Sequence, residues 1–378
     1  MDKNIKIFRF ASDKETTINE ILDNFKNFSK LYSPVVKFKT DYKEIFTIPR
    51  IILSDKREAF PVFTDSELLN CPYVSKPTLD FLFYVFSSMK TGAVIFNPPI
   101  KKELSVKQIT LDLYTISLII GFLQSVGENI NDDPLTLFNK GFFHKANYLC
   151  FKNISKVDPF IYSMILSMLG FYDKSLEIAK VIKDDRIFLL QAMIKKMNGD
   201  YKGALEIIEK IRDENLMGEK NIQLAWIELL SGKVDNAKKT FTKFSGGAFK
   251  QESFFGIALS MLSGQNLNRD SLSLAINYLT DAANMDGKDK INVLIYLGNL
   301  YYNLQDYIKA EDCYYKAFYL NPSTQIISLI GMCEAKRGKN KDAIARANLV
   351  SLFDINSGVR IFSSISHDYL TNDISVDE

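Results

Sequence analysis

A small residue follows a turn residue by about five positions repeatedly through the last two thirds of this chain. The turn residue is usually glycine, and the small residues of the seven units are Ala146, Ser175, Ala204, Ala237, Ala275, Ala310 and Ala343. In the unit of Ala310 the expected turn residue is Asp306, and in the unit of Ala275 a longer turn is expected after Gly264. The steps between them average roughly 33 residues, a period typical of stacked helical hairpins. Small side chains recur in such hairpins because they let two helices cross closely. The pattern predicts an array of antiparallel helix pairs, with an irregular helical bundle as the alternative.

The clearest unit runs over residues 291–322 (INVLIYLGNLYYNLQDYIKAEDCYYKAFYLNP). Its leucine, small, aromatic and proline residues stand at the signature positions of the tetratricopeptide repeat (TPR), namely Leu294, Leu297, Gly298, Tyr301, Ala310, Tyr314, Ala317 and Pro322. The unit therefore resembles a TPR, with Leu294 where that family favours tryptophan. The resemblance implies a superhelical solenoid whose first helices line a concave groove that holds peptides.

Groove residues can be assigned in three units, because positions two, five, nine and twelve or thirteen of each first TPR helix point into the groove. These predicted partner-binding residues are Arg186, Leu189, Met193, Lys196, Ile222, Trp226, Leu229, Asn292, Ile295, Asn299 and Tyr302. Trp226, the single tryptophan, is either an anchor for a peptide or a packing residue between helices. The Lys and Asn set with which chaperone-docking TPR proteins hold a carboxylate is absent, since Ile295 and Leu329 occupy two of its positions. A mixed apolar and polar groove is expected.

The first hundred or so residues follow a different pattern. Residues 47–54 (TIPRIILS) and 58–64 (EAFPVFT) are β-prone runs separated by the charged turn DKR, which predicts a hairpin. Residues 16–31 and 77–89 have helical apolar spacing, and residues 93–96 (AVIF) form a short strand before Asn-Pro-Pro. A small α+β domain with an antiparallel sheet is predicted.

Two segments of this region resemble the N-terminal domain of the SseB (enhanced serine sensitivity) family. They are the Pro-Val-Phe-Thr strand with its acidic helix start, residues 61–67, and the Gly-led strand that closes on Asn-Pro, residues 92–98. The resemblance covers about a quarter of the chain and brings no catalytic residues with it. It implies a bacterial protein. Thr64 or Asp65 is expected to cap the helix that follows.

The predicted fold class is a small α+β N-terminal domain followed by an all-α TPR-like superhelical solenoid. Its parts are an SseB-like domain over residues 1–105, a long connecting and capping helix over 106–131, TPR-like repeats over 132–360 and a polar tail over 361–378. The connecting helix is expected to cover the first face of the superhelix, since terminal repeats need their apolar surface covered.

Composition excludes several function classes. The chain has 47 Lys and Arg residues against 45 Asp and Glu residues. This near balance of charge does not predict binding to nucleic acid or to an anionic membrane surface. No window reaches the roughly 18 apolar residues of a membrane span, and the first 17 residues lack the apolar core of a signal peptide. The four cysteines lie far apart, which fits reduced thiols in a cytoplasmic protein.

No catalytic motif or metal-ligand spacing occurs around the two histidines, His144 and His367. Ser245-Gly246-Gly247 reads as a flexible turn, with a phosphate cradle as the alternative. The sequence therefore predicts a chain without catalytic residues, metal or cofactor.

The function predicted from these patterns is a non-enzymatic adaptor that binds a protein or peptide in its TPR groove. One specific form is a cytoplasmic chaperone or assembly factor for a bacterial secretion or surface apparatus, with a second protein on the N-terminal domain. The alternatives are a peptide-sensing regulator with a TPR receptor domain and an enzyme with an unrecognised site in the N-terminal domain.

Overall fold

The structure, a computed structural model, describes residues 17–89, 92–98, 108–127, 132–263 and 268–365. It divides into two compact units. Unit 1 combines residues up to Asn129 with those from Gln305 onward, and unit 2 comprises residues Ile130–Leu304. The predicted fold class is confirmed: an N-terminal α+β region precedes a long run of helices.

All the described strands lie in the N-terminal part of unit 1. They are β1 (Lys30–Pro34), β2 (Val36–Lys39), β3 (Glu44–Thr47), β4 (Ile51–Ile52), β5 (Glu58–Val62), β6 (Tyr73–Pro77), β7 (Ala93–Phe96) and β8 (Ile109–Asp112). They form two antiparallel pairs, β1–β6 and β2–β3, and a four-stranded sheet in the order β4-β5-β7-β8.

The helices begin with α1 (Ile18–Phe25), α2 (Thr78–Ser88) and α3 (Leu113–Leu123) in the α+β region. Unit 2 contains α4 (Pro134–Lys140), α5 (Phe143–Lys152), α6 (Pro159–Met168), α7 (Tyr172–Ala179), α8 (Arg186–Met197), α9 (Tyr201–Ile208), α10 (Met217–Leu230), α11 (Val234–Lys243), α12 (Lys250–Leu262), α13 (Arg269–Asn284) and α14 (Lys290–Asn303). Unit 1 resumes with α15 (Tyr307–Leu320), α16 (Thr324–Lys336), α17 (Asn340–Ser351) and α18 (Ile355–Phe362). Among the described helices, none combines the length and apolar character that crossing a membrane requires.

The predicted hairpin is present, but the expected antiparallel sheet is wrong in one pairing. β4 and β5 pair antiparallel around the charged turn, whereas β5 and β7 are parallel. The chain leaves β5, forms β6 and α2, and returns to the sheet, and such a crossover gives a parallel pair. Asp65 caps the 3-10 turn Ser66–Leu68, as expected, by accepting a hydrogen bond from the backbone N–H of Glu67.

The predicted connecting helix over residues 106–131 is wrong in its first part. Residues 109–112 form β8, which pairs with β7, and within the described range 108–127 the helix covers residues 113–123. Residues 106–107 and 128–131 lie outside the described residues. Asp112 ends the strand and caps α3 by accepting a 2.8 Å hydrogen bond from the backbone N–H of Thr115. Helix α3 packs against α1, α2 and β8 within unit 1. It therefore belongs to the α+β core.

The C-terminal helices share a core with the N-terminal strands. The Phe353 ring lies 5.3 Å from the rings of Phe81 and Tyr84 and 6.1 Å from that of Phe60. The backbone N–H of Ile48 donates a 2.9 Å hydrogen bond to the carbonyl of Leu352. The predicted separation of residues 1–105 from 132–360 thus differs from the structure, in which residues 305–365 pack with the α+β region. Of the predicted polar tail, residues 361–365 continue this core through buried Ile361, Phe362 and Ile365, and residues 366–378 lie outside the described residues.

The repeat skeleton read from the sequence is present in the helices. The small residues of all seven units are fully buried: Ala146, Ser175, Ala204, Ala237, Ala275, Ala310 and Ala343. The turn glycines adopt the left-handed conformation that ends a helix, with φ between 74° and 92° at Gly141, Gly170, Gly199, Gly232 and Gly338. In the clearest unit Gln305 takes this conformation, with φ of 63°. The paired turn residue there is Gln305 rather than the expected Asp306, which instead caps α15.

Candidate partner-binding groove

Alternate helices of unit 2 pack side by side. Helix α6 packs against α8, α8 against α10, and α10 against α12, so the first helices of successive hairpins are neighbours. Two adjoining cavities open between them and α14. The tryptophan lobe, about 310 Å³, is lined by residues that include Met168, Lys196, Trp226, Phe255, Asn292 and Tyr296. The phenylalanine lobe, about 230 Å³, is lined by residues that include Phe160, Met164, Leu189, Ile222 and Phe249.

The two lobes are parts of one groove because they share three lining residues, Met193, Glu252 and Lys288. Met193 comes from the middle of α8, Glu252 from the first turn of α12, and Lys288 from the turn that precedes α14. That turn is held in place by a 2.7 Å hydrogen bond from the backbone N–H of Gly287 to the carbonyl of Asn139. Lys288 therefore lies in an anchored turn at the place where the two lobes adjoin.

Polar side chains join each first helix to the next. The Arg186 guanidinium contacts Asp158 at 2.7 Å, 28 residues back. The Lys196 ammonium donates a 2.7 Å hydrogen bond to the Gln223 side-chain oxygen, 27 residues on. The Trp226 indole N–H donates a 2.7 Å hydrogen bond to Glu252, 26 residues on. These separations are close to one repeat, so the contacts form a ladder across α6, α8, α10 and α12.

Glu252 is the centre of this ladder. Its Oε1 accepts hydrogen bonds from Trp226 and from the Gln223 amide, and its Oε2 pairs with the Lys288 ammonium. Burial works to raise the pKa of Glu252, but the Lys288 and Lys196 ammonium groups outweigh it, and the pKa lies below its ordinary value. The carboxylate is therefore ionised and neutralised inside the groove.

The two lysines of the ladder differ in their partners. Burial acts to lower the pKa of Lys288, but Glu252 and Asp289 outweigh it and raise that pKa. Burial lowers the pKa of Lys196 to about 8, against a raising effect of Glu252. Lys196 also lies 5.8 Å from the centre of the Trp226 ring. Lys288 is thus a paired cation. In the part of the chain that the structure describes, the Lys196 charge is stabilised by the Gln223 amide, the Trp226 ring and the carboxylates of Glu252 and Asp289, without a salt bridge.

The structure brings together six of the predicted groove residues: Leu189, Met193, Lys196, Ile222, Trp226 and Asn292. Trp226 is buried, with its ring 5.0 Å from that of Phe241 and 5.3 Å from that of Phe255. It packs between helices, which was one of the two alternatives, and it also lines the tryptophan lobe. A role as an anchor for a peptide stays a prediction. Whether these six residues bind a partner stays a prediction.

The other five predicted groove residues, Arg186, Leu229, Ile295, Asn299 and Tyr302, lie outside the linings of these two lobes. Arg186 pairs with Asp158 and Asp184 at the edge of the phenylalanine lobe. Leu229 is buried, and its neighbour Leu230 faces the tryptophan lobe instead. On α14 the lining residues are Asn292 and Tyr296, one helical turn apart.

Sequence reasoning missed Glu252, Phe255, Leu259, Lys288 and Asp289, which line the tryptophan lobe. The sequence between Gly264 and Ala275 is longer than the corresponding stretch of the other units, so groove positions were not assigned in that unit. A usable signal was present, since residues 252, 255 and 259 have the spacing of one helix face.

The walls of the groove combine methionine and aromatic side chains with aliphatic and charged ones. Methionine adapts its shape to different apolar groups. His144 is buried elsewhere in unit 2, and its burial lowers its pKa to about 3. Among the described residues, no three His, Cys, Asp or Glu side chains are grouped so as to hold a metal ion.

Residues 291–324 match the tetratricopeptide repeat family. This segment of the chain is therefore a TPR. Among curated proteins, none matches the chain significantly.

Several solved structures share helical-repeat similarity with the chain. A thermophilic TPR protein, TTC0263, from Thermus thermophilus has 20% identity and a TM-score of 0.39, over 48% of this chain and 98% of its own. The Cut9–Hcn1 hetero-tetramer of the APC/C has 14% identity and a TM-score of 0.45, over 70% of this chain and 60% of its own. PilF of Pseudomonas aeruginosa has 12% identity and a TM-score of 0.36, over 57% of this chain and 90% of its own.

Proposed function

We propose that this protein is a non-enzymatic adaptor that holds a peptide segment of a partner protein in the groove of unit 2. The observation that carries the proposal is the pair of adjoining lobes formed by α6, α8, α10, α12 and α14. A continuous cleft lined by repeat-spaced side chains is how solenoid proteins accommodate extended or helical peptides.

The chemistry of the walls supports a peptide ligand. Binding energy at protein interfaces concentrates where large apolar side chains enter desolvated pockets. The phenylalanine lobe offers such a pocket through Phe160, Met164 and Ile222. The polar ladder beside it places hydrogen-bonding and charged groups along the floor, which can fix the register of a peptide.

The remaining details of the adaptor stay predictions. They are a cytoplasmic location, a bacterial chaperone or assembly role, and a second protein bound to an SseB-like N-terminal domain. The shared core of residues 17–127 and 305–365 supports treating unit 1 as one binding module, because Phe353 packs among Phe60 and Phe81. A surface for the second partner would therefore include the C-terminal helices.

The proposal is tested by affinity purification from the native source with the full chain as bait. Leu230 lines the tryptophan lobe with a side chain that is 47% exposed, so Leu230→Glu changes the groove without burying a charge. Val181→Glu is the matched control, because Val181 is 63% exposed and lies outside both lobe linings. We expect one partner to be retained by the wild type and by Val181→Glu and lost with Leu230→Glu.

Recovery of the same partner with Leu230→Glu would contradict binding in the groove. Mass spectrometry of the captured material separates an adaptor from a peptide-sensing regulator, since the first retains a folded protein and the second a short free peptide. Trp226 is the single tryptophan of the chain. A change in its emission on adding the purified partner would locate binding at the tryptophan lobe.

A further inference from the structure

The tryptophan lobe contains one cation that lacks a carboxylate partner among the described residues. Both oxygens of Glu252 are occupied, by Trp226 and Gln223 on one side and by Lys288 on the other. Asp289 lies 3.5 Å from Lys288. Within the described ranges, the hydrogen bond that the Lys196 ammonium donates is to the side-chain oxygen of Gln223.

We propose that Lys196 pairs with a carboxylate of the bound peptide, and that a large apolar residue next to this carboxylate occupies the phenylalanine lobe. This inference rests on the proposed function and names the class of segment that the groove takes, an acidic residue beside a large apolar one.

The geometry around Lys196 supports an incoming anion. An ammonium group has three donors, and one of them is used by Gln223. The half-buried Lys196 ammonium forms no salt bridge with a described carboxylate, and a carboxylate that arrives with the ligand stabilises its charge by a charge-assisted hydrogen bond. The face of the Trp226 ring, 5.8 Å away, leaves the charge only partly compensated in the free protein.

The neighbouring charges favour a singly charged anion. Glu252 and Asp289 line the same lobe as Lys196. Both carboxylates would repel a dianionic phosphate more strongly than a carboxylate. A side-chain carboxylate of Asp or Glu is therefore the group we assign to this position.

The positions of the two lobes determine how far apart the carboxylate and the large apolar residue of the peptide are. They share Met193 as a lining residue, and Lys196 lies one helical turn from Met193 on α8. One turn of helix is about 5 Å long, which neighbouring side chains of a short peptide can span. The acidic and the apolar residue are therefore adjacent or nearly adjacent in the ligand.

The experiment uses the full chain and two pools of eight-residue peptides, acetylated at the N-terminus and amidated at the C-terminus. Both pools have Leu at one fixed position; the next position is Asp in one pool and Asn in the other, and the remaining positions are random. Binding is followed by the emission of Trp226. We expect the wild type to bind the Asp pool at least about tenfold more tightly than the Asn pool.

Two variants assign the preference to Lys196. Lys196→Met keeps the aliphatic stem and removes the charge, so we expect equal affinity for both pools, at the level of the wild type with the Asn pool. Lys195→Met is the control, because Lys195 pairs with Asp200 and lies outside both lobe linings. It should keep the tenfold preference. Circular dichroism shows that each variant is folded.

Proton uptake gives a second measurement. A carboxylate that pairs with Lys196 raises the pKa of its ammonium above about 8, so binding of the Asp pool at pH 8.5 should take up protons. Calorimetry in two buffers of different ionisation enthalpy measures this uptake. The Lys196→Met variant should show none.

The outcomes separate this inference from the function on which it rests. Equal affinity of the wild type for both pools, or an Asp preference that survives in Lys196→Met, would overturn the role of Lys196 while leaving peptide binding in the groove intact. If neither pool changed the emission of Trp226, both proposals would fall. A third pool has the Asn sequence and a free C-terminus, and it tests whether a terminal carboxylate replaces the side-chain carboxylate. Tighter binding of this third pool than of the Asp pool would overturn the assignment to a side-chain carboxylate.

Discussion

The indole N–H of Trp226 donates a 2.7 Å hydrogen bond to the buried carboxylate of Glu252. The two residues lie on α10 and α12, the first helices of neighbouring hairpins. The same carboxylate pairs with Lys288 in the turn before α14. One side chain therefore links three successive repeats, and the stability of unit 2 and the shape of its groove depend on the same contacts.

Trp226→Phe should destabilise the chain by about 1–3 kcal/mol, because the buried Glu252 carboxylate loses a donor while most of the aromatic surface remains. Urea denaturation followed by circular dichroism measures the change. Tyr296→Phe is the matched control, since it removes a polar atom from a 45% exposed ring at the same lobe and should stay within about 0.5 kcal/mol. A similar loss in both variants would show that the hydrogen bond to Glu252 is not the cause.

Lys196 should make the stability of the wild type depend on pH. Its folded pKa, about 8, lies below the ordinary 10.5 of an unfolded lysine. Between these two pH values the unfolded chain binds more protons than the folded chain. The free energy of unfolding therefore increases as pH rises from about 8 to 10.5. Relative to Lys196→Met, the wild type should gain about 1 kcal/mol over this range, a figure reduced for solvent screening.

Denaturation of both proteins at pH 7.5, 9 and 10.5 measures this difference. The thiols of Cys150 and Cys333, whose burial raises their pKa to about 12, are present in both proteins and cancel. The charged groups that face Lys196, namely Glu252, Lys288 and Asp289, also remain. A difference that does not change with pH would contradict the desolvation of Lys196.

How much of the groove the sequence predicted depended on the regularity of each repeat. Leu189, Met193 and Lys196 were predicted by counting positions in the unit anchored at Ala204, which has an ordinary turn, and all three line the lobes. Glu252 and Lys288 were missed because more residues separate α12 from α13 than separate the helices of an ordinary unit, and because their importance comes from pairing with each other across 36 residues. Position in a repeat predicts which way a side chain points, and it does not predict which distant side chain it meets.

Phe353 should be essential to the N-terminal region although it lies near the other end of the chain. Phe353→Ala removes a buried ring that contacts Phe60, Phe81 and Tyr84, so a loss of about 3–5 kcal/mol is expected. Hydrogen exchange should show reduced protection in β5 and α2. Ile308→Ala, at a 65% exposed position of the same unit, should leave both measurements almost unchanged. Unaltered protection of β5 in Phe353→Ala would argue against a shared core.

The same contacts explain what the sequence could not predict about the domains. The period of small residues continues through Ala310 and Ala343, so by pattern alone residues 305–360 belong with the other repeats. Their residues meet the N-terminal region about 300 residues earlier, through the hydrogen bond from Arg50 to the carbonyl of Phe353 and the contact of the Phe353 ring with Phe60 of β5. Local periodicity carries no information on such a contact. The parallel pairing of β5 with β7 was missed for the same reason, since it depends on the path of the chain between them.

The close crossing of α11 and α12 gives the last prediction. A Cβ on Gly256 would lie 2.5 Å from ring atoms of Phe241, which is fully buried. Gly256→Ala should therefore force the helices apart and destabilise the chain by about 1–3 kcal/mol, although alanine favours helix more than glycine does. Gly246→Ala is the matched control, because nothing lies within 4 Å of its Cβ position and its φ of −115° suits any residue.

Thermal and urea denaturation of both variants measure the effect. We expect Gly246→Ala to be neutral or slightly stabilising, because it restricts the unfolded chain. The ring of Phe241 also lies 5.0 Å from that of Trp226. A displaced Phe241 should therefore change the emission of Trp226 in Gly256→Ala even where the protein remains folded. An unchanged emission together with unchanged stability would mean that α11 and α12 do not cross as closely as the Gly256 position requires.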